Sequence, residues 1–124
     1  MKTKIALFFA LIVMTTASAF AQNSPQMRRT VEERVKSVME KLSTPLMLTP
    51  VQVQKTDSVF TSFYKAQDKM GENMMASGER PDRSVFEKLT SNRDEALKTF
   101  FTKDQYTKYI NEILPTLQPQ RRRN

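Results

Sequence analysis

The chain contains no cysteine, no histidine and only two glycines in 124 residues. Each absence closes a class of chemistry. Without cysteine there is no disulfide staple, no thiolate metal site and no lipid attached through a cysteine side chain. With histidine missing too, the donors that favour transition metals are gone and no metal site or cofactor is expected. General acid–base catalysis at neutral pH usually recruits histidine or strongly perturbed carboxylates, and the carboxylates here sit in mixed-charge helical patterns that read as a solvated face, with weak pairs such as Asp94 to Lys98 and Asp104 to Lys108. Gly71 and Gly78 cannot build a glycine-rich phosphate loop. The chain is therefore not expected to be an enzyme.

Long apolar runs are scarce as well. The one continuous stretch, Ile5 to Met14, is shorter than the roughly 20 residues of a comfortable bilayer span. Lys2 and Lys4 precede it and Ala19-Phe20-Ala21 follows as an A-x-A site, so residues 1–21 read as a cleavable secretory signal and the mature chain is expected to start at Gln22. An uncleaved anchor reaching through Phe20 is the alternative. Loss of the signal removes two of the 20 basic residues and none of the 13 acidic ones, which leaves a net charge of +5. The excess lies in Met27 to Leu42 and after Phe101, while the charges cancel in between. A pI near 9.9 raises nucleic acid as a partner, but export, the neutral middle and the lack of a nucleic-acid motif argue against it. Acidic membrane surfaces and acidic segments of exported proteins fit better.

What the chain does have is a repeat. Leu48-Thr49-Pro50-Val51-Gln52 returns as Phe101-Thr102-Lys103-Asp104-Gln105. At this spacing the threonine hydroxyl accepts from the backbone N–H three residues on, while the glutamine reaches back to the threonine N–H, forming a capping box. Leu48 can pack on Val53, and Phe101 on Tyr106, as hydrophobic staples. Pro50 sits where a missing N–H costs nothing, and Asp104 faces the positive helix end. Both motifs mark helix starts and sharp reversals of the chain.

Four helices follow. The first is expected from Ser24-Pro25 to about Ser43, with Met27, Val31, Val35, Val38 and Leu42 as its stripe; Thr30 with Glu33 forms an alternative start. The second runs from Pro50 to about Ser77 on Val53, Val59, Phe60, Phe63, Tyr64, Met70 and Met74, with Gly71 as a point for a bend or close approach, and ends at Gly78. The third begins near Asp82 or Ser84 and carries Val85, Phe86, Leu89, Ala96, Leu97 and Phe100. The fourth starts at the second motif with Tyr106, Tyr109, Ile110 and Ile113, and Pro115 is expected to close it. Residues 22–115 thus form one all-α domain, a short-long-long-short helical hairpin. Residues 116–124, with Arg121 to Arg123, read as a disordered basic tail.

The two boxes, the export signal and the helix order together resemble the LTxxQ family of periplasmic proteins (Spy/CpxP-like). Leu48, Thr49 and Gln52 match its motif, and the second copy has Phe101 in place of leucine. The resemblance implies a periplasmic location and a homodimer of curved hairpins shaped as a cradle. For Spy-like members it implies an ATP-independent chaperone that holds non-native exported proteins on an apolar and basic surface. CpxP-like members instead bind the periplasmic domain of an envelope-stress sensor kinase. The zinc-associated branch relies on ligands this chain lacks.

Several residues could form such a client surface. Met70, Met74 and Met75 share the second helix with a cluster of aromatics, and flexible thioethers suit adaptable surfaces. Helical spacing alone cannot separate that role from core packing. Met75 and Val59 lie off the main stripe and are the better candidates for exposure. Arg28, Arg29, Arg34, Lys36 and Lys41 read either as solubilising charge or as a basic rim that attracts acidic and incompletely folded chains. Arg121 to Arg123 could contact an anionic envelope surface weakly.

Overall fold

A computed structural model describes residues 29–118, and their regular structure is entirely helical. Helix α1 spans Val31–Ser43 and begins at the Thr30 box: Thr30 Oγ1 accepts the Glu33 N–H at 3.2 Å and Glu33 Oε2 accepts the Thr30 N–H at 3.0 Å. The expected start at Ser24-Pro25 lies outside the described residues, and α1 opens at the Thr30 alternative. After α1 the chain turns through Thr44 to Leu46 and stops at Met47, whose φ of 50° is left-handed. Met47 N–H donates to the Thr44 carbonyl and Leu48 N–H to the Ser43 carbonyl, both at 3.1 Å. These are the paired bonds of a Schellman stop, with methionine where glycine is the usual residue.

Helix α2, Pro50–Ser77, has the expected boundaries for the expected reasons. Thr49 caps it, Pro50 opens it, and Gly78 ends it with φ 71° while its N–H donates to the Met74 carbonyl. The helix runs through Gly71 without interruption. Helix α3, Arg83–Lys98, starts at Asp82, whose carboxylate accepts the Ser84 N–H at 3.3 Å. Helix α4, Lys103–Lys108, starts at the Thr102 box.

Pro115 does not close the last helix. The chain continues from α4 through a π-helical turn, Tyr109–Ile113, into α5, Leu114–Leu117. Proline supplies no N–H and its ring crowds the carbonyl four residues back, here Asn111. The widened turn ahead of it, in which Leu114 N–H donates to the Tyr109 carbonyl, accommodates the ring and keeps the run helical. Thr116 and Leu117 therefore belong to the helical domain and not to the tail; residues 119–124, with Arg121 to Arg123, lie outside the described residues. The lengths also differ from a short-long-long-short order. Helix α2 has 28 residues, α3 only 16 and α1 13, because Asp82 and Thr99 bracket α3 closely.

Helices α2 and α3 form an antiparallel hairpin, with Val59 facing the same cleft as Ala96 and Ala66 sharing it with Leu89. Helix α1 packs along α2, the π turn against α1, and α4 against α3. All of this converges on one end. Val35, Val38, Leu42, Leu46, Phe60, Phe63, Leu97, Phe101, Tyr109 and Ile113 make a single core there, each large side chain contributing roughly 1.5–3 kcal/mol on burial. Between Phe63 and Arg93 no residue is fully buried. None of the described helices is long and apolar enough to cross a membrane.

Candidate functional site

The two threonine–glutamine boxes form as expected, and they meet. Thr49 Oγ1 accepts the Gln52 N–H and Thr102 Oγ1 accepts the Gln105 N–H, each at 3.2 Å. Gln52 Oε1 takes the Thr49 N–H at 3.0 Å, and Gln105 Oε1 takes the Thr102 N–H at 2.9 Å. The two amides then pair with each other: Gln52 Nε2 donates to Gln105 Oε1 at 2.7 Å and Gln105 Nε2 donates to Gln52 Oε1 at 3.1 Å. Each nitrogen uses its second hydrogen on a loop carbonyl, Gln52 on Phe100 at 3.0 Å and Gln105 on Leu46 at 3.1 Å. An amide has two donors and two acceptor sites, and both amides are fully satisfied. The clasp fixes the α1–α2 turn to the α3–α4 turn.

The sequence held a signal for this pairing that spacing alone does not reveal. Glutamate completes a capping box as well as glutamine does, and Glu33 does so at α1. Only an amide can accept the cap N–H and also donate across to a partner, so two glutamines in boxes of equal spacing suit a mutual contact where two glutamates would repel. Leu48 packs on the edge of the core, while the Phe101 ring lies edge-on to Tyr109, at 6.1 Å between centroids and 75°.

A second polar group sits beneath the clasp. Arg93 is buried, with its guanidinium carbon 4.6 Å from the Phe63 ring centroid and 5.8 Å from that of Phe60. Its Nε donates to Asp94 Oδ1 at 2.9 Å, and the Tyr109 hydroxyl donates to the same oxygen at 2.8 Å. Asp94 is therefore no solvated partner of Lys98. Burial pushes the Tyr109 hydroxyl far above its ordinary value; Arg93 opposes that shift, and Asp94 adds to it both through its charge and as the acceptor of the hydroxyl's hydrogen bond. The same burial effect raises Tyr64 more mildly, opposed by the charges of Arg34 and Arg93. Position 93 falls on the α3 stripe midway between Leu89 and Leu97, and Thr56, also buried, falls on that of α2 between Val53 and Phe60. Thr56 satisfies its hydroxyl by donating to the Gln52 carbonyl at 2.7 Å.

The expected client residues divide. A recess of about 490 Å³ at the α1–α2 side of the hairpin brings together Arg29, Arg34, Met70 and Met74, with Gly71 and Pro81 beside them. Arg29 is exposed there. Arg34 is committed instead: it donates to Asp68 and to Gln67 Oε1 and lies 4.6 Å from the Tyr64 centroid, which ties α1 to α2. Lys36 and Lys41 are exposed on α1, with Lys36 at the edge of another recess beside Val31 and Val35. Val59 is half-buried against the core, whereas Met75 is 73% exposed. Arg28 lies outside the described residues.

Two further apolar side chains belong to this surface although periodicity assigned them to a packed stripe. Val85 is 50% and Phe86 42% exposed. They lie at the start of α3, beyond the part of the hairpin that α1 and α4 cover. Methionines from α2 and these two residues from α3 make the far end of the hairpin an uncovered, mixed apolar and charged arm. No family model, curated protein or solved structure matches this chain.

Proposed function

We propose that this protein is a nucleotide-independent holding chaperone of the periplasm, which binds non-native exported proteins on the α2–α3 arm and releases them without a chemical step. The observation that carries the reading is the arm itself: a stretch from Tyr64 to Asn92 with no fully buried residue that nevertheless bears Met70, Met74, Met75, Val85 and Phe86. A helix pair kept only for structure would not present Met75, Val85 and Phe86 to water. Thioethers and an edge phenyl ring adapt to many apolar partners. Lys65, Lys69, Arg80, Arg83 and Lys88 alternate with Asp68, Glu72, Glu79, Asp82 and Glu87 along the same arm, so a bound chain meets charges of both signs and is held weakly. Exposed basic residues on and just before α1, Arg29, Lys36 and Lys41, add long-range attraction for acidic segments. The paired LTxxQ-like motifs and the amino-terminal signal pattern support the same reading. Two copies joined into a homodimer with their arms side by side would form a cradle and shield part of the apolar area.

The experiment is aggregation of a reduced or chemically unfolded client without nucleotide, at several-fold excess of the purified protein. Suppressed aggregation is expected, and unchanged aggregation rejects the proposal. Crosslinking in cells should trap many unrelated exported proteins; capture of one sensor-kinase domain alone would make the protein a regulator instead.

A further inference from the structure

Apart from the methionine recess, α2 and α3 leave a cleft of about 450 Å³ lined by Val59, Phe63, Leu89 and Ala96. It continues past Val59 and Ala96 into a second recess of about 470 Å³ that ends at Phe100. Such volumes lie in the range of small-molecule sites, which are mostly apolar with a few fixed polar groups. The fixed polar group here is Arg93. Its side chain is 8% exposed, Phe63 and Phe60 hold the plane, and Asp94 engages only Nε. The two terminal nitrogens make no hydrogen bond among the described residues. They are not sealed either, since Arg34 Nε is the one buried side-chain nitrogen or oxygen left without a partner there.

We infer that this cleft binds a medium-chain carboxylate, with the head group on the Arg93 guanidinium and the acyl chain along Val59 and Ala96 toward Phe100. Taking a guanidinium out of water is costly, and apolar residues of similar volume often serve a core equally well. Arg93 lines the wall of an apolar cleft, and although its guanidinium also lies close to the Tyr109 hydroxyl, its terminal N–H groups have the fork geometry that binds a carboxylate through two parallel bonds. The seven residues from Arg93 to Phe100 advance about 10 Å along a helix, which suits an acyl chain of medium length. A phosphate would gain nothing from the apolar floor. This inference does not depend on the chaperone reading.

The test is titration of the purified protein with decanoate below its micelle concentration, followed by calorimetry and by amide chemical shifts. One-to-one saturation is expected, with shifts centred on Val59, Arg93 and Ala96. Decanol, which has the chain without the charge, should bind at least tenfold more weakly. Ser58→Trp, an exposed position that lines both recesses beside Val59 and Ala96, should block binding by tenfold or more, and Arg93→Lys should weaken it several-fold. If Arg93→Lys fails to fold, decanol and Ser58→Trp decide. Equal affinity for decanol, unimpaired binding by Ser58→Trp, shifts confined to the methionine recess, or tighter binding of a peptide with an apolar carboxyl terminus would each overturn the inference.

Discussion

At one end of the molecule α1, α2, α3 and α4 converge on a glutamine pair in which every amide hydrogen and oxygen is used; at the other, among the described residues, only Arg29 and Arg34 reach the base of the α2–α3 arm and no helix packs across its far end. The two ends are made from similar material. Both carry methionine, phenylalanine and valine at helical spacing, and both are rich in charge. What differs is whether a second layer of helix arrives. Apolar side chains are buried where the clasp draws the two turns together, and the same kinds of side chain remain exposed toward the tip of the arm because α1 reaches only its base, through Arg34 at Tyr64, Gln67 and Asp68. The clasp end supplies stability, so the arm is free to keep an apolar surface that a folded monomer would otherwise hide.

If that division is right, the largest effect comes from the clasp. Gln52→Ala removes one box and leaves the Phe100 carbonyl and part of the Gln105 amide without partners, and each orphaned group costs about 1–3 kcal/mol. A loss of about 3 kcal/mol in chemical denaturation is expected, against about 1 kcal/mol for Thr30→Ala, whose box has no partner. The Gln52→Ala/Gln105→Ala pair should show a coupling energy of about 1 kcal/mol or more in a double-mutant cycle. Additive losses would mean that the boxes act separately and that the comparison is misdrawn.

Raising the pH probes the same end more gently. The Tyr109 hydroxyl titrates far higher when folded than its ordinary value of 10.0, because it is buried and donates to Asp94. The unfolded chain therefore loses this proton first. The contribution is fully present below pH 10 and declines above it by about 1.4 kcal/mol per pH unit. Tyr109→Phe should be less steep in that range in pH-dependent denaturation, with the shallower effects of Tyr64 and Tyr106 remaining.

Met47→Gly should stabilise by about 1 kcal/mol, since methionine at φ 50° carries a steric cost that glycine avoids. Met47 is 83% exposed and loses little packing. On the arm, Met75→Ser with Phe86→Ser should change stability by no more than about 0.5 kcal/mol while clearly reducing suppression of client aggregation. A large loss of stability there would show the arm to be part of the core.

Element boundaries were legible where chemistry forces a start or a stop. Thr49-Pro50 and Gly78 bound α2 because proline at the first position and a left-handed glycine leave few alternatives. The helix past Pro115 was hidden because proline normally stops a helix, and the π turn that absorbs it depends on packing of Tyr109 and Ile113 in the core. Burial of Val85 and Phe86 was read from periodicity, which reports a face but not whether a neighbour covers it. Arg93 carries a charge that points to solvent, while its place between Leu89 and Leu97 points inward, and in the fold the second signal prevails. The meeting of Gln52 and Gln105 is hinted at by the choice of glutamine over glutamate, but it depends on how the hairpin brings the two turns together.

The most direct measurement is site-specific photocrosslinking to a reduced client, with the probe placed in turn at Met75 and Phe86 on the arm and at Val51 beside the clasp, which is equally open at 60% exposure. Capture at Met75 and Phe86 with little at Val51 is the predicted result. Equal capture at all three, or capture at Val51 alone, would contradict the assignment of client binding to the uncovered arm.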